Sequence, residues 1–168
     1  MKNIQQKNPE LIDALFRIKR GLCSYVSYLA ACKMNSAFSE YILYEPVLRI
    51  LNACGYKVEC EYECPGIDQQ GRGDKKRLDF YANGHSQKFA MEVKWAKSNR
   101  LDVTRDLEKL SAFIEAEQNA LGLLCVFGRK SLIETIDLGS NLKERGKAVY
   151  ADLRKTKYGC RIFQLKSS

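Results

Sequence analysis

Residues 78–95, LDFYANGHSQKFAMEVKW, carry the strongest structural signal in the chain. Apolar and polar residues alternate at both ends of the stretch, and turn-forming residues fill its middle, as in two strands joined in a hairpin. Successive strand side chains point to opposite faces, so Leu78, Phe80 and Ala82 share one side while Asp79 and Tyr81 take the other. In the following strand Phe89, Met91, Val93 and Trp95 share a side, leaving Lys88, Ala90, Glu92 and Lys94 opposite. If both apolar rows cover the same core, Asp79, Glu92 and Lys94 fall on a common face, because a slip of one residue would expose a whole row. The turn leaves the register open. Four residues at the tip, Gly84 to Gln87, set Asp79 across from Glu92 with β-carbons about 5 Å apart. A two-residue Asn83-Gly84 turn instead places Asp79 opposite Lys88.

Two carboxylates facing each other across a strand pair repel. They become useful around a hard divalent cation, since Mg²⁺ (or Mn²⁺) takes oxygen ligands and commonly combines one or two carboxylates with water and phosphate oxygens. A lysine beside such a cation can orient or deprotonate water and offset charge growing on a phosphate. Asp79, Glu92 and Lys94 therefore form a candidate site for phosphodiester hydrolysis. The competing reading is a solvated hairpin face.

Outward from the hairpin, the pattern predicts a helix over 9–33, opened by Asn8-Pro9, and a second over 37–54, capped by Ser36 or Ser39 and stopped at Gly55. Strands are expected at 56–63, 76–82 and 87–95, with a polar glycine-rich loop at 65–75. A third helix over 102–119 leads to a strand at 121–127 apolar enough to be buried on both faces. A helix over 130–144 and strands at 147–152 and 160–165 complete the order ααβββαβ–αββ. At 100° per residue, Glu40 lies near the centre of the second helix's apolar stripe (Leu43, Tyr44, Val47, Ile50, Leu51, Cys54), so it points at the sheet and needs a partner, whereas Glu45 lies about 140° away. On the third helix Asp106, Lys109 and Leu110 have helical spacing. Asp106 and Lys109 are either accessory site residues or an exposed ion pair.

The chain has 168 residues, 45% of them hydrophobic, which suits one domain (1–168) with a single core. No apolar run reaches the ~18 residues of a membrane span. Leu29–Cys32, LAAC, resembles a lipoprotein cleavage box, but the residues before it fit an amphipathic helix and include Glu10 and Asp13, so a cytoplasmic location is expected. Seven cysteines, an odd number set largely among apolar residues, suggest reduced thiols. Zinc is disfavoured, since there is no CxxC pair and only His85 to join Cys60 and Cys64.

The sequence resembles the PD-(D/E)xK nuclease superfamily, the restriction-endonuclease-like fold. The matching residues are Asp79 in RLDF and Glu92-Val93-Lys94 in MEVKW, an acid-bearing helix before them and DLEKL at Asp106 to Leu110 after them. The resemblance covers an αβββαβ core from about 37 to 127, in a mixed α/β (α+β) fold with an extra N-terminal helix (1–36) and a C-terminal αββ extension (128–168). It implies a Mg²⁺-dependent nuclease in which Asp79, Glu92 and Glu40 bind metal and Lys94 assists the water. Leu78 stands where the family's motif has proline, and Glu45 is the alternative helix acid.

The formal net charge of +8 favours an anionic partner, nucleic acid and in the first instance DNA. Arg72, Lys75, Lys76, Arg77, Lys97 and Arg100 flank the candidate site as expected phosphate contacts, and Arg154, Lys155, Lys157 and Arg161 add cations in the tail. Glu59, Glu61 and Glu63 run the other way, as an acidic face on the first strand that suits an exposed sheet edge or a basic protein partner. Strong sequence specificity would require a homodimer or the C-terminal region. The contrasting functional reading is a catalytically silent protein-binding module on the same fold, such as an immunity protein or regulator.

Overall fold

The expected hairpin lies in a seven-stranded mixed sheet flanked by helices. The structure, a computed structural model, describes residues 8–34, 38–67, 76–84, 87–98, 100–153 and 156–166. The strands are β1 (Lys57–Glu63), β2 (Arg77–Asn83), β3 (Lys88–Ala96), β4 (Leu121–Arg129), β5 (Leu142–Glu144), β6 (Val149–Leu153) and β7 (Thr156–Leu165). They are ordered β1-β2-β3-β4-β7-β5, with β6 also paired to β7. Strands β1, β2 and β3 form an antiparallel meander, whereas β4 runs parallel to β3 and is reached through helix α3 (Thr104–Ala116). Parallel neighbours need such a crossover.

Asn83 pairs with Lys88, so the turn is the four-residue one, Gly84 to Gln87, closed by the Gly84 N–H donating to the Gln87 carbonyl at 3.1 Å. Both faces of the sheet are covered. Phe80, Ala82, Phe89, Met91 and Val93 pack against α1 (Pro9–Ala31) and α2 (Tyr44–Ala53). On the other face, Leu78, Ala90, Leu124 and Val126 pack against Leu110 and Phe113 of α3 and Ile133 of α4 (Lys130–Thr135). Leu78 therefore does not join the row of Phe80 and Ala82 as the alternation predicts. The row changes sides at Asp79, across from which Glu61 of β1 takes a left-handed φ of 53°, uncommon for a residue with a β-carbon.

Helix α1 follows the expected stripe: Leu11, Leu15, Ile18, Leu22, Val26 and Leu29 are buried, and the Asn8 side chain accepts the Leu11 N–H at 3.2 Å. The second helix departs from expectation. Glu40–Leu43 is a 3₁₀ turn, and the α-helix proper begins at Tyr44. Pro46 has no N–H to give the Ile42 carbonyl and its ring crowds that carbonyl, so an α-helical turn cannot close there. The expected stop at Gly55 is present, with φ at +84°, a conformation glycine reaches without a β-carbon penalty.

The C-terminal region corrects the expected αββ extension. Helix α4 ends at Thr135 rather than 144, because the Asp137 carboxylate accepts the Gly139 N–H at 2.9 Å and Gly139 turns to φ +82°, an Asx-type turn that competes with the helix. Three strands follow instead of two. Far from being an appendage, β7 pairs with β4 from Leu123↔Gln164 to Arg129↔Tyr158 and lies inside the sheet. Arg161 anchors this region, donating to both oxygens of Glu144 (3.0 and 2.8 Å) and to the carbonyls of Ile133 and Ile136 (3.2 and 3.1 Å).

All seven cysteines are free thiols, and burial pushes the Cys23 thiol up to about 12. Cys125 and Cys160 approach only to a 3.6 Å S–H···S contact. Among the described residues no helix is long and apolar enough to cross a membrane.

Candidate active site

Asp79 sits where the β2–β3 ladder stops. The last paired residues are Phe80 and Met91. One step further, carboxylates replace the backbone pairing: the Asp79 N–H donates to Glu92 Oε1 at 3.3 Å, and the Val93 N–H donates to Asp79 Oδ2 at 2.7 Å. The other Asp79 oxygen accepts the hydroxyl of Tyr44 from α2. The strands part here, and the two acids face each other as the four-residue turn requires.

Glu92 is 1% exposed, although it stands between two residues of a strand face that would be wet in a simple hairpin. Helix α3 covers it. The Lys109 ammonium donates to Glu92 Oε2 at 2.6 Å and to the Arg77 carbonyl at 2.9 Å, and lies 3.7 Å from Asp106. Lys94, two residues along β3, lies 3.2 Å from Asp106 and 3.6 Å from Glu40. The second oxygen of Glu40 accepts the Trp95 N–H at 3.0 Å. Asp106 and Lys109 are thus mostly buried members of the site and not an exposed pair (7% and 15% side-chain exposure).

The electrostatics follow from this burial. Desolvation first, and the neighbouring Asp79 second, raise the Glu92 carboxyl to about 9, against the opposing pull of Lys109. Asp79 is also raised by burial, which outweighs its bonds from Tyr44 and Val93. Lys94 moves above its ordinary value: burial works against its charge, but Asp106 and Glu40 prevail. It stays an ammonium ion at neutral pH, suited to hydrogen-bond donation and not to proton abstraction.

Beside this network a groove of about 580 Å³ is lined by five cations, Lys76, Arg77, Lys94, Arg105 and Lys109, and three acids, Asp102, Asp106 and Glu108. Of the expected cations, Lys76 and Arg77 reach it. Lys97 lies instead in a separate pocket beside Trp95, and Arg100 lines neither. Arg72 and Lys75 lie outside the described residues, as do His85, Arg154 and Lys155. Glu45 is exposed and paired with Arg49 at 2.9 Å. Cys60 is exposed and Cys64 buried with its thiol 3.2 Å from the Lys109 carbonyl.

Two members of the site went unassigned in the sequence. Tyr44 belongs by spacing to the apolar stripe of the second helix, and its signal is that a hydroxyl carried on a buried stripe needs a partner. Arg105, one residue before Asp106, signals itself only once α3 is known to lie along the groove.

The donors suit a hard cation in kind. Asp79 and Glu92 supply carboxylates from facing strand positions, each oxygen accepting a hydrogen bond from within the protein, and the network of Glu40, Asp79, Glu92 and Asp106 against Lys94 and Lys109 carries a formal excess of two negative charges when fully ionised. Among the described residues no group of three or more His, Cys, Asp or Glu side chains is arranged to hold a metal ion. A cation here would rest on the two carboxylates, with water and substrate oxygens completing its shell, the usual habit of Mg²⁺. In comparisons with known proteins, no family model, curated protein or solved structure matches the chain significantly.

Proposed function

We propose that the chain is a Mg²⁺-dependent nuclease of the PD-(D/E)xK type that hydrolyses phosphodiester bonds in DNA. The observation that carries this reading is the replacement of the β2–β3 ladder by the Asp79 and Glu92 carboxylates, with Lys94 on the same strand opening to a groove in which cations outnumber acids five to three. Adjacent buried acids cost stability, and this cost is understandable where a cation is to be held. The order α2–β1–β2–β3–α3–β4, with β4 parallel to β3, supports the restriction-endonuclease-like core.

In this reading Asp79 and Glu92 hold the metal, which when bound polarises the scissile phosphate and acidifies water. Tyr44 and the Val93 N–H fix the Asp79 carboxylate. Lys94, kept charged by Asp106 and Glu40, donates a hydrogen bond to the attacking water or to a phosphate oxygen and offsets the charge that grows there. Glu40 thereby serves as the positioning acid for Lys94. Lys76, Arg77 and Arg105 line the path of the DNA backbone.

Incubation of labelled DNA with Mg²⁺ or Mn²⁺ tests this. Wild-type protein should cleave, while Asp79→Asn and Lys94→Ala should lose at least about a hundredfold in rate with unchanged circular dichroism. Equal activity in all three would overturn it. A second reading, a silent module that binds a basic protein, draws on Glu59, Glu61 and Glu63, all exposed on the edge strand β1. It predicts a stoichiometric complex that survives Asp79→Asn and is lost when these three glutamates become glutamine.

A further inference from the structure

Successive residues of β3 serve opposite faces, so Trp95 points away from the groove that Lys94 enters. It lines a pocket of about 470 Å³ together with Phe38 and Tyr158, and Lys97 and Arg129 stand on the same lining. This is within the ~300–1,000 Å³ usual for small-ligand sites. The three rings pack on one another, with centroids 5.6 Å apart for Phe38–Trp95, 6.2 Å for Trp95–Tyr158 and 6.0 Å for Phe38–Tyr158. Phe127 buttresses Trp95 from behind at 5.0 Å. Tyr158 is buried, whereas Phe38 and Trp95 remain partly open to solvent and Lys97 and Arg129 are exposed. Among the described residues no Asp or Glu lines this pocket.

The pocket is tied to the candidate active site through one side chain. Glu40 accepts the backbone N–H of Trp95 with one oxygen and pairs with Lys94 through the other. Lys94 and Trp95 are neighbours on β3 but serve opposite faces, so a strand held by both must pass the end of β3 at Ala96. Partly open rings flanked by cations, here Phe38 and Trp95 over a buried Tyr158 that stacks on Phe127 at 5.6 Å, are the chemistry that holds unpaired bases, because every base presents a π-face while the cations take its phosphates. A duplex hides those faces within its own stack.

We propose that the Phe38–Trp95–Tyr158 pocket receives an unpaired nucleobase of the strand whose phosphate lies at Lys94, so that the substrate is single-stranded DNA or a frayed end. This rests on the nuclease reading above and specifies its substrate.

Trp95 is the only tryptophan in the chain, so its emission reports the pocket without a label. With EDTA present to prevent cleavage, a short oligothymidylate should quench that emission saturably, and the same length of fully paired duplex should not. Phe38→Ala should weaken oligothymidylate binding roughly 5- to 100-fold. Arg129→Gln, a surface change that cannot compromise folding through the core, should weaken it several-fold. Oligothymidylate that binds by anisotropy of an end label without altering Trp95 emission, or that binds Phe38→Ala and Arg129→Gln as tightly as wild type, overturns the pocket and leaves the nuclease reading standing if DNA is still cleaved. Failure to bind or cleave any DNA, single- or double-stranded, overturns both.

Discussion

Glu92→Gln replaces a titratable carboxyl with a non-titrating amide of similar volume, and it should make the metal-free protein more stable at neutral and alkaline pH. The side chain is 1% exposed, and burial together with Asp79 raises its carboxyl from the ordinary 4.5 to about 9. The sign follows from proton counting. Between these two values the unfolded chain has lost the proton that the folded chain still holds, so stability falls as pH rises through this window and levels off beyond it. Each pH unit inside the window is worth about 1.4 kcal/mol. From about pH 6 to about pH 8 the upper bound is therefore near 3 kcal/mol, and with relaxation around the Lys109 pair the expected loss is roughly 1–3 kcal/mol. Glutamine does not titrate, so the variant lacks this contribution to the slope. Urea unfolding in EDTA, followed by Trp95 emission at half-unit pH steps, measures the difference. Parallel curves for wild type and Glu92→Gln between pH 6 and pH 8 would show that the carboxyl is ionised throughout, and the picture of two acids held together against repulsion would fail.

Mg²⁺ should raise the melting temperature of wild-type protein, by the equivalent of about 3 kcal/mol at a hundredfold excess over Kd, and leave Asp79→Asn unmoved; differential scanning fluorimetry reads this. Because binding expels the Glu92 proton, apparent Mg²⁺ affinity measured by calorimetry should climb with pH, up to tenfold per unit, and flatten near pH 9. Tyr44→Phe deprives Asp79 of a donor that lowers its pKa; it should cost about 1–2 kcal/mol of stability in denaturant titrations and move the cleavage pH profile upward. Arg77→Gln and Arg105→Gln should each weaken DNA binding and reduce the salt slope of log Kd by about one, measured by anisotropy across a salt series.

How far these features could be read from the sequence depended on the range of the interactions. Alternation along 78–95 is local, and it correctly required Asp79 and Glu92 to meet once the turn held four residues. It could not show that the Glu92 face is buried, because that depends on α3 folding back over the sheet with Lys109 toward Glu92. The inward direction of Glu40 is legible from helical phase, yet a 3₁₀ turn carries it there, because Pro46 prevents the α-helix from closing over the preceding turn. Leu78 packs on the α3 side and Phe80 on the α1–α2 side, next to the left-handed Glu61 of β1, a change of side that a strict period of two cannot express. The end of α4 is a local event, an Asx turn at Asp137 outbidding the helix. The central place of β7 is not, since its pairing with β4 joins residues from 29 (Arg129↔Tyr158) to 41 (Leu123↔Gln164) positions apart and leaves no signature in either strand alone.

A crystal soaked in Mn²⁺ and measured at the manganese absorption edge puts the metal reading to its simplest test. An anomalous peak ligated by both Asp79 and Glu92, with Lys109 displaced from Glu92 and Lys94 still held by Asp106 and Glu40, is the expected result. Saturating Mn²⁺ that binds elsewhere, or nowhere, while Lys109 keeps its bond to Glu92 would mean that the two carboxylates are a structural ion cluster and not a metal site.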